Sequence, residues 1–346
     1  MTGEHLVPPT RAKHLLILGA GSVGKRHLRN FASLGADVSA MDPRMDRLEE
    51  ARTEIALRST FQSLDAALAQ PRAFDGAVVC SPPSAHASQS IACLLAGLPL
   101  LIEKPLSPTL SSAREVAAAA KAAQVPVILG YTYRWWPPLA DLGRALRAGD
   151  IGRPMSARCV MSAHLADWHP WERYQDFFMA SASLGGGALL DESHFLDLML
   201  WFFGTPSHVY ARVEKLSDLQ IDTDDNVDAL LEYDSGLRVG IHLDLFGRPH
   251  EKSIRVGGER GSAEWTFDPN ELRIGTTPEP VWRTQTYSNQ RNDMFIAVAR
   301  EFLEALDGSA VRTCTVEDGV KVLEVIEAMR SSSQTGRRVA LVQGPA

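Results

Sequence analysis

His14-Leu15-Leu16-Ile17-Leu18, followed at once by Gly19-Ala20-Gly21-Ser22-Val23-Gly24, is the stretch from which this 346-residue chain is read. The first five residues form a short apolar run, as expected of a parallel strand covered on both faces. The next six form a complete GxGxxG, and residues 25–34 continue as a helical pattern. The first glycine permits the tight turn, the second lets backbone approach a pyrophosphate, and the third allows close helix–strand packing. The helix that follows offers free N–H groups and a positive dipole end to that anion.

Working outward, a second strand at 38–41 ends at Asp42, whose carboxylate can accept hydrogen bonds from an adenosine ribose. Gly19, Gly21, Ser22, Val23, Gly24 and Asp42 therefore make a dinucleotide site, with NAD preferred because Asp42 would repel a 2′-phosphate. Arg44 keeps NADP open, since a guanidinium there can pair with that phosphate. Helical patterns at 48–56 and 64–69, a strand at 76–80, an alanine-rich helix at 85–96 and a strand at 98–102 continue the alternation. A helix at 112–123 and a strand at 125–129 complete it, the signature of a doubly wound parallel sheet. Ser81-Pro82-Pro83-Ser84-Ala85-His86 stops the strand at Cys80. Ser81, Pro82, Ser84 and His86 are candidates to touch the cofactor, or Ser84 is simply the N-cap of the next helix.

Glu103-Lys104-Pro105 closes the strand at 98–102. At the mouth of a nucleotide-binding fold this segment puts a cation beside the cofactor, which points to nicotinamide-dependent redox chemistry. After Arg134 the pattern changes at Trp135-Trp136-Pro137-Pro138. Beyond a helix at 139–148, period-2 segments dominate at 155–162, 207–213, 227–233, 237–245 and 252–256. They predict a mostly antiparallel sheet, with a helix starting near Asp191 and two closing helices at 293–306 and 316–331. The expected organisation is a loose tail over 1–12, a Rossmann domain over 13–134, and a substrate-binding and oligomerisation α/β domain over 135–346.

Hydrophobic residues make up 45% and charged residues 22%, and the net charge is −7. No basic surplus exists to neutralise a phosphate backbone, so nucleic acid is not an expected partner. No segment approaches membrane-spanning length. The four cysteines lack CxxC spacing, so neither a zinc site nor a disulfide framework is expected, and Cys80 and Cys93 read as buried small hydrophobes. Without a leader-like N-terminus, a reducing cytoplasm is the expected compartment.

Five segments together carry a family resemblance. They are GAGSVG with Lys25-Arg26-His27, CSPPSAHASQSIACLLAGLPLLIEKPLS (80–107), GYTYRWWP (130–137), GGGALLDESHFLDLMLWFFG (185–204) and VEDGVKVLEVIEAMRSS (316–332). The set resembles the glucose-fructose oxidoreductase / inositol dehydrogenase / MocA family over nearly the whole chain. That resemblance implies a Rossmann domain followed by an α/β domain with a large open sheet, packed against its mate in a homodimer or homotetramer. It also implies redox chemistry at a carbinol carbon of a sugar, nucleotide sugar or polyol. Lys104 matches the lysine beside the nicotinamide, Glu103 flanks it, and His194 matches the acid/base histidine.

Independently of the resemblance, a lysine at a strand's C-terminal end projects into the crevice where doubly wound sheets bind ligands. There it can polarise a carbonyl or stabilise an alkoxide. A histidine has the pKa range for taking the hydroxyl proton. Asp191, three residues before His194 where many members place an aspartate four before, can cap its helix or reach the site. Asp197 either orients the imidazole or is a buried acceptor. Arg134 corresponds to a family arginine that contacts substrate or bridges the domains. In the aromatic-rich segment 163–174, Trp168 and His169 are substrate candidates, since aromatic faces with polar edges suit sugars. Two alternatives stand beside the dehydrogenase reading: an NAD-dependent glycosidase of the same family, and a non-catalytic protein that senses NAD or a sugar.

Overall fold

A computed structural model describes residues 11–70, 73–168, 172–277 and 281–341. The first part alternates strand and helix through β1 (His14–Leu18), α1 (Ser22–Ser33), β2 (Asp37–Met41), α2 (Met45–Glu54), β3 (Thr60–Phe61) and α3 (Leu64–Leu68). It continues through β4 (Gly76–Val79), α4 (Pro83–Leu95), β5 (Leu100–Glu103), α5 (Leu110–Ala123) and β6 (Val127–Gly130). These strands form one six-stranded parallel sheet in the order β3-β2-β1-β4-β5-β6, the dinucleotide-binding order. Every residue of β1, β4, β5 and β6 is buried, which is why those strands read as near-continuous apolar runs.

After α6 (Pro137–Ala148), the chain builds a second layer from β7 (Pro154–Ser162), α7 (Ala188–Asp191) and α8 (Ser193–Phe203). It adds β8 (His208–Glu214), β9 (Asn226–Glu232), β10 (Arg238–Asp244), β11 (Glu251–Gly258), β12 (Gly261–Thr266), β13 (Glu271–Thr276) and β14 (Trp282–Thr286). Helices α9 (Arg291–Leu306) and α10 (Val316–Thr335) and the short β15 (Val339–Ala340) close the chain. The second sheet has nine strands in the order β14-β13-β12-β11-β7-β10-β9-β8-β15. Its pairs are antiparallel except β7 with β10. The alternation of buried and open positions along β9 and β10 matches one packed and one open face.

The two halves share apolar cores. Val298, Ala299 and Phe302 of α9 join Leu15, Ile17, Val78, Leu101 and Ile128 in one cluster, so a helix from the end of the chain covers a face of the first sheet. Of the expected tail, residues 1–10 lie outside the description, and Arg11 pairs with Asp75 at 2.6 Å. Cys93, Cys159 and Cys314 are buried as free thiols, whereas Cys80, expected to be buried, is only half-buried. Among the described residues no helix is long and apolar enough to cross a membrane, and no cluster of His, Cys, Asp and Glu could hold a metal ion.

On β10 the His242 ring sits between two carboxylates, Nδ1 at 2.8 Å from Asp228 and Nε2 at 3.0 Å from Asp244. The bond to Asp244 first, with Asp228 behind it and burial opposing, raises its pKa to about 9. A histidine raised in the folded state from an ordinary 6.5 stabilises fully below that value, and the contribution is lost as pH rises through about 9. His242→Gln is therefore expected to flatten the fall of Tm across that interval. An unchanged slope of Tm against pH would remove the ring from the stability balance.

Candidate active site

Three segments converge on one crevice. In the glycine turn, Gly19 has φ +93°, and a Cβ on Gly24 would lie 1.8 Å from the Gly19 carbonyl oxygen, so the helix can start this close to the strand only with glycine. Above Gly21 the nearest atom to a built Cβ is Arg47 Nη1 at 3.7 Å, which leaves room for a ligand to approach the backbone. No side chain caps α1, so its first amides are free to meet an anion. Asp42, almost fully buried, accepts from Ala20 N at 2.8 Å and Arg44 N at 2.9 Å, which fixes it at the end of β2.

The second segment is the end of β5. Glu103 binds Nε2 of His27 in α1 at 2.7 Å, tying this strand end to the helix of the glycine turn. The Lys104–Pro105 peptide bond is cis. Lys104 donates from Nζ to the backbone oxygen of Asp191 at 2.6 Å and to its Oδ1 at 2.8 Å. Burial works against the ammonium, but Asp191 and Glu192 outweigh it and hold the Lys104 pKa above its ordinary value.

The third segment carries the acid/base candidate. Gly187 has φ +105°, and a Cβ there would meet Asp224 Oδ1 at 2.4 Å. Asp224 itself accepts from Leu189 N at 2.8 Å and so pins the first turn of α7. In α8, the His194 ring lies 4.8 Å from Tyr133 and 5.7 Å from Tyr131, centroid to centroid. Its Nδ1 is buried without a hydrogen-bond partner among the described residues, which leaves Nε2 as the nitrogen able to meet a reactant. Burial first, then Lys104, Lys252 and Arg291, holds the His194 pKa well below the ordinary value, so the imidazole is neutral.

Two family models account for most of the chain: the oxidoreductase family with NAD-binding Rossmann fold over residues 13–131, and the GFO/IDH/MocA C-terminal domain over 139–264. The chain belongs to the GFO/IDH/MocA family. It is 24% identical to the D-apiose dehydrogenase of Paraburkholderia graminis, across 94% of this chain and 88% of that protein. It is 26% identical to a protein of Haloferax volcanii named D-xylose 1-dehydrogenase (NADP(+)) 2, across 94% and 98%. Among solved structures, levoglucosan dehydrogenase in complex with NADH superposes with a TM-score of 0.86 at 20% identity, covering 96% of this chain and all of that one. The first sheet is thus the NAD-binding Rossmann domain of a family that includes sugar and polyol oxidoreductases.

Within this family member, the structure places several of the residues singled out from sequence in one of the roles left open for them, and others elsewhere. Asp191 does not cap α8; Glu192 occupies the N-cap position, and the Asp191 carboxylate is spent on Lys104 instead. Asp197 does not orient His194, because its two oxygens take Nε and Nη2 of Arg134 at 3.0 and 2.7 Å. The remaining nitrogen of Arg134 reaches Thr313 O at 2.8 Å and Asp318 at 3.1 Å, which is the bridging arrangement, one of the two roles its sequence position left open. Ser84 is not an N-cap; Pro82 holds that position, and Ser84 is exposed in the first turn of α4.

His86 is buried, with its ring nitrogens 2.7 Å from the carbonyl oxygens of Ser81 and Pro105. It ties two crevice loops together instead of facing a ligand. Ser81 Oγ is bonded to Gln89 at 2.5 Å. The Arg44 side chain pairs with Asp46, and Arg47 is the guanidinium nearer Asp42, at 3.8 Å. Trp168 packs half-buried against the main apolar core, and His169 lies outside the described residues.

The structure also brings in residues that the sequence did not flag. Glu192 is 5% exposed, and its pKa is raised to about 7 by burial first and then by Asp191. Tyr133 arrives from the turn after β6, Lys252 from β11 and Arg291 from the start of α9. Only Glu192 was within reach of sequence reading, as a second charge beside Asp191 at the junction of two largely apolar helices.

Proposed function

We propose that this protein transfers a hydride between a nicotinamide cofactor and a carbinol or keto carbon of a sugar, nucleotide sugar or polyol. The observation that carries the reading is the contact of Lys104 with Asp191, which joins the mouth of the cofactor sheet to the helix presenting His194. NAD, when bound at the α1 turn, supplies the hydride acceptor, and NADH the donor. In oxidation, the hydroxyl proton passes to Nε2 of His194. The Lys104 ammonium, held in place by Asp191, stabilises the oxygen as negative charge develops on it.

The names of the relatives support a carbohydrate-type substrate. NAD is preferred on the strength of Asp42, and the relative named for NADP(+) is a reason to test both. We further propose a Rossmann domain over 13–134, a substrate-binding domain over 135–346, a cytoplasmic location, and a homodimer or homotetramer. The oligomer would use the open face of the nine-stranded sheet, where Tyr210 is 44% and Leu230 39% exposed.

The test is nicotinamide absorbance during incubation with NAD or NADP and a panel of sugars, polyols and nucleotide sugars. Turnover with stoichiometric change in NADH is the expected result. Glycoside release without net NADH would transfer the chain to the glycosidases. Tight sugar binding with bound cofactor and no turnover anywhere would make it a sensor.

A further inference from the structure

Charge is unevenly matched around His194. Lys104 and Arg134 each grip a carboxylate, Asp191 at 2.8 Å and Asp197 at 2.7 Å. Lys252 and Arg291 act on the same ring, and neither has a carboxylate within 4.0 Å among the described residues. Lys252 lies over aromatic faces, its Nζ 4.8 Å from the Phe267 centroid and 5.7 Å from that of Tyr133. Tyr133 is the ring that packs at 4.8 Å on His194, so Lys252 stands at the reacting end of the crevice. Arg291, the first residue of α9, also presses on Arg26, whose guanidinium sits 4.6 Å over Phe295. Like charges gathered on one side of His194, Lys252 half-buried and Arg291 exposed, repel one another unless an anion joins them.

Among the described residues, the Glu192 carboxylate faces this space with no side-chain hydrogen bond, and both cations also influence it. With its pKa near 7 it is part-protonated at neutral pH, so the cations remain in excess. A cofactor diphosphate belongs at the free amides of α1 instead, where the helix dipole favours it.

We propose that the substrate presents a carboxylate to Lys252 and Arg291: an acidic sugar such as a uronic or aldonic acid, or a derivative of one. This rests on the oxidoreductase reading of the same site and narrows it. The carboxylate is a recognition handle, and the reacting carbinol is a separate carbon near His194.

The experiment uses the full chain saturated with NADH and titrated with matched pairs that differ in the acid group. The pairs are D-gluconate against D-sorbitol, D-glucuronate against D-glucose, and D-galacturonate against D-galactose. Binding is followed by NADH fluorescence and calorimetry. At least one acid is expected to bind roughly tenfold or more tightly than its neutral partner, as a charge-assisted contact provides. The preference should weaken with added salt and vanish in Lys252→Met and Arg291→Met, while NADH affinity holds and Lys252→Arg retains it.

Acids that bind no better than their partners in every pair overturn the proposal, as does a preference that survives both methionine variants. Loss of NADH affinity in those variants also overturns it, because the cations would then serve the cofactor. Failure of the underlying reading looks different: the wild-type chain would bind no NADH, or no panel compound would exchange a hydride.

Discussion

His194→Ala is expected to lower kcat by about 10²–10⁴, the usual contribution of a positioned acid/base, while leaving NADH affinity at the wild-type value. The imidazole is placed for this by the tyrosines at 4.8 and 5.7 Å and by a buried Nδ1, which leaves Nε2 for the substrate hydroxyl. Its depressed proton affinity has a sign that can be followed. A base held well below 6.5 by burial and three cations remains neutral, and so competent, at pH values where an ordinary histidine would already be charged. Any acid limb of kcat/KM for oxidation that belongs to His194 therefore lies below that value, and it disappears with the ring. The loss should be in turnover rather than folding, since alanine is a good helix former and the ring lies at the crevice rather than in the core. Near-wild-type turnover would remove His194 from the mechanism. A matching fall in NADH affinity would mean that the ring supports the cofactor instead.

Much of the first sheet could be read directly from the sequence because burial on both faces leaves its central strands apolar except at their ends, His14 and Glu103. β1 matches its expected bounds, and the other long strands begin or end within about two residues of theirs, an ordinary margin for element ends. The strands that escaped notice are those with little burial to imprint a pattern. β14 (WRTQT) has no buried residue, and β3 and β15 are two-residue edges. β12 and β13 form a hairpin ladder in which only Ala263, Trp265 and Leu272 are buried, too few to establish a period. The site divides in the same way. Glycines, Asp42, Lys104 and His194 sit in local motifs whose chemistry is visible in a few residues. Lys252 and Arg291 come from strand and helix starts far along the chain, and their only signal is the absence of a partner once folded. Asp191 and Asp197 were visible as charges near His194, but their partners, Lys104 and Arg134, were 87 and 63 residues away.

Arg134→Met tests what that last pair does. Asp197 is wholly buried, and Arg134 both neutralises it and satisfies its oxygens through two nitrogens. Even so, burial raises the Asp197 pKa to about 6, against the pull of Arg134, which shows how little solvent the carboxylate retains. Removing the guanidinium while leaving the aspartate strands a buried charge, which typically costs about 3–5 kcal/mol. The Thr313 carbonyl loses a donor as well. A buried acid whose folded pKa exceeds its ordinary 3.8 binds its proton more tightly when folded, so stability falls as pH rises between the two values. In the variant the folded value climbs further, and the loss of stability is therefore larger at neutral pH than in mild acid. Adding Asp197→Leu should restore most of it, since a buried pair replaced by apolar side chains is often neutral. Thermal or urea unfolding of the single and double variants across pH checks all three expectations. A variant as stable as wild type but with a raised KM would return Arg134 to the substrate. The expected pattern instead makes it the strut between the turn after β6 and α8, holding the helix that carries His194 against the cofactor sheet.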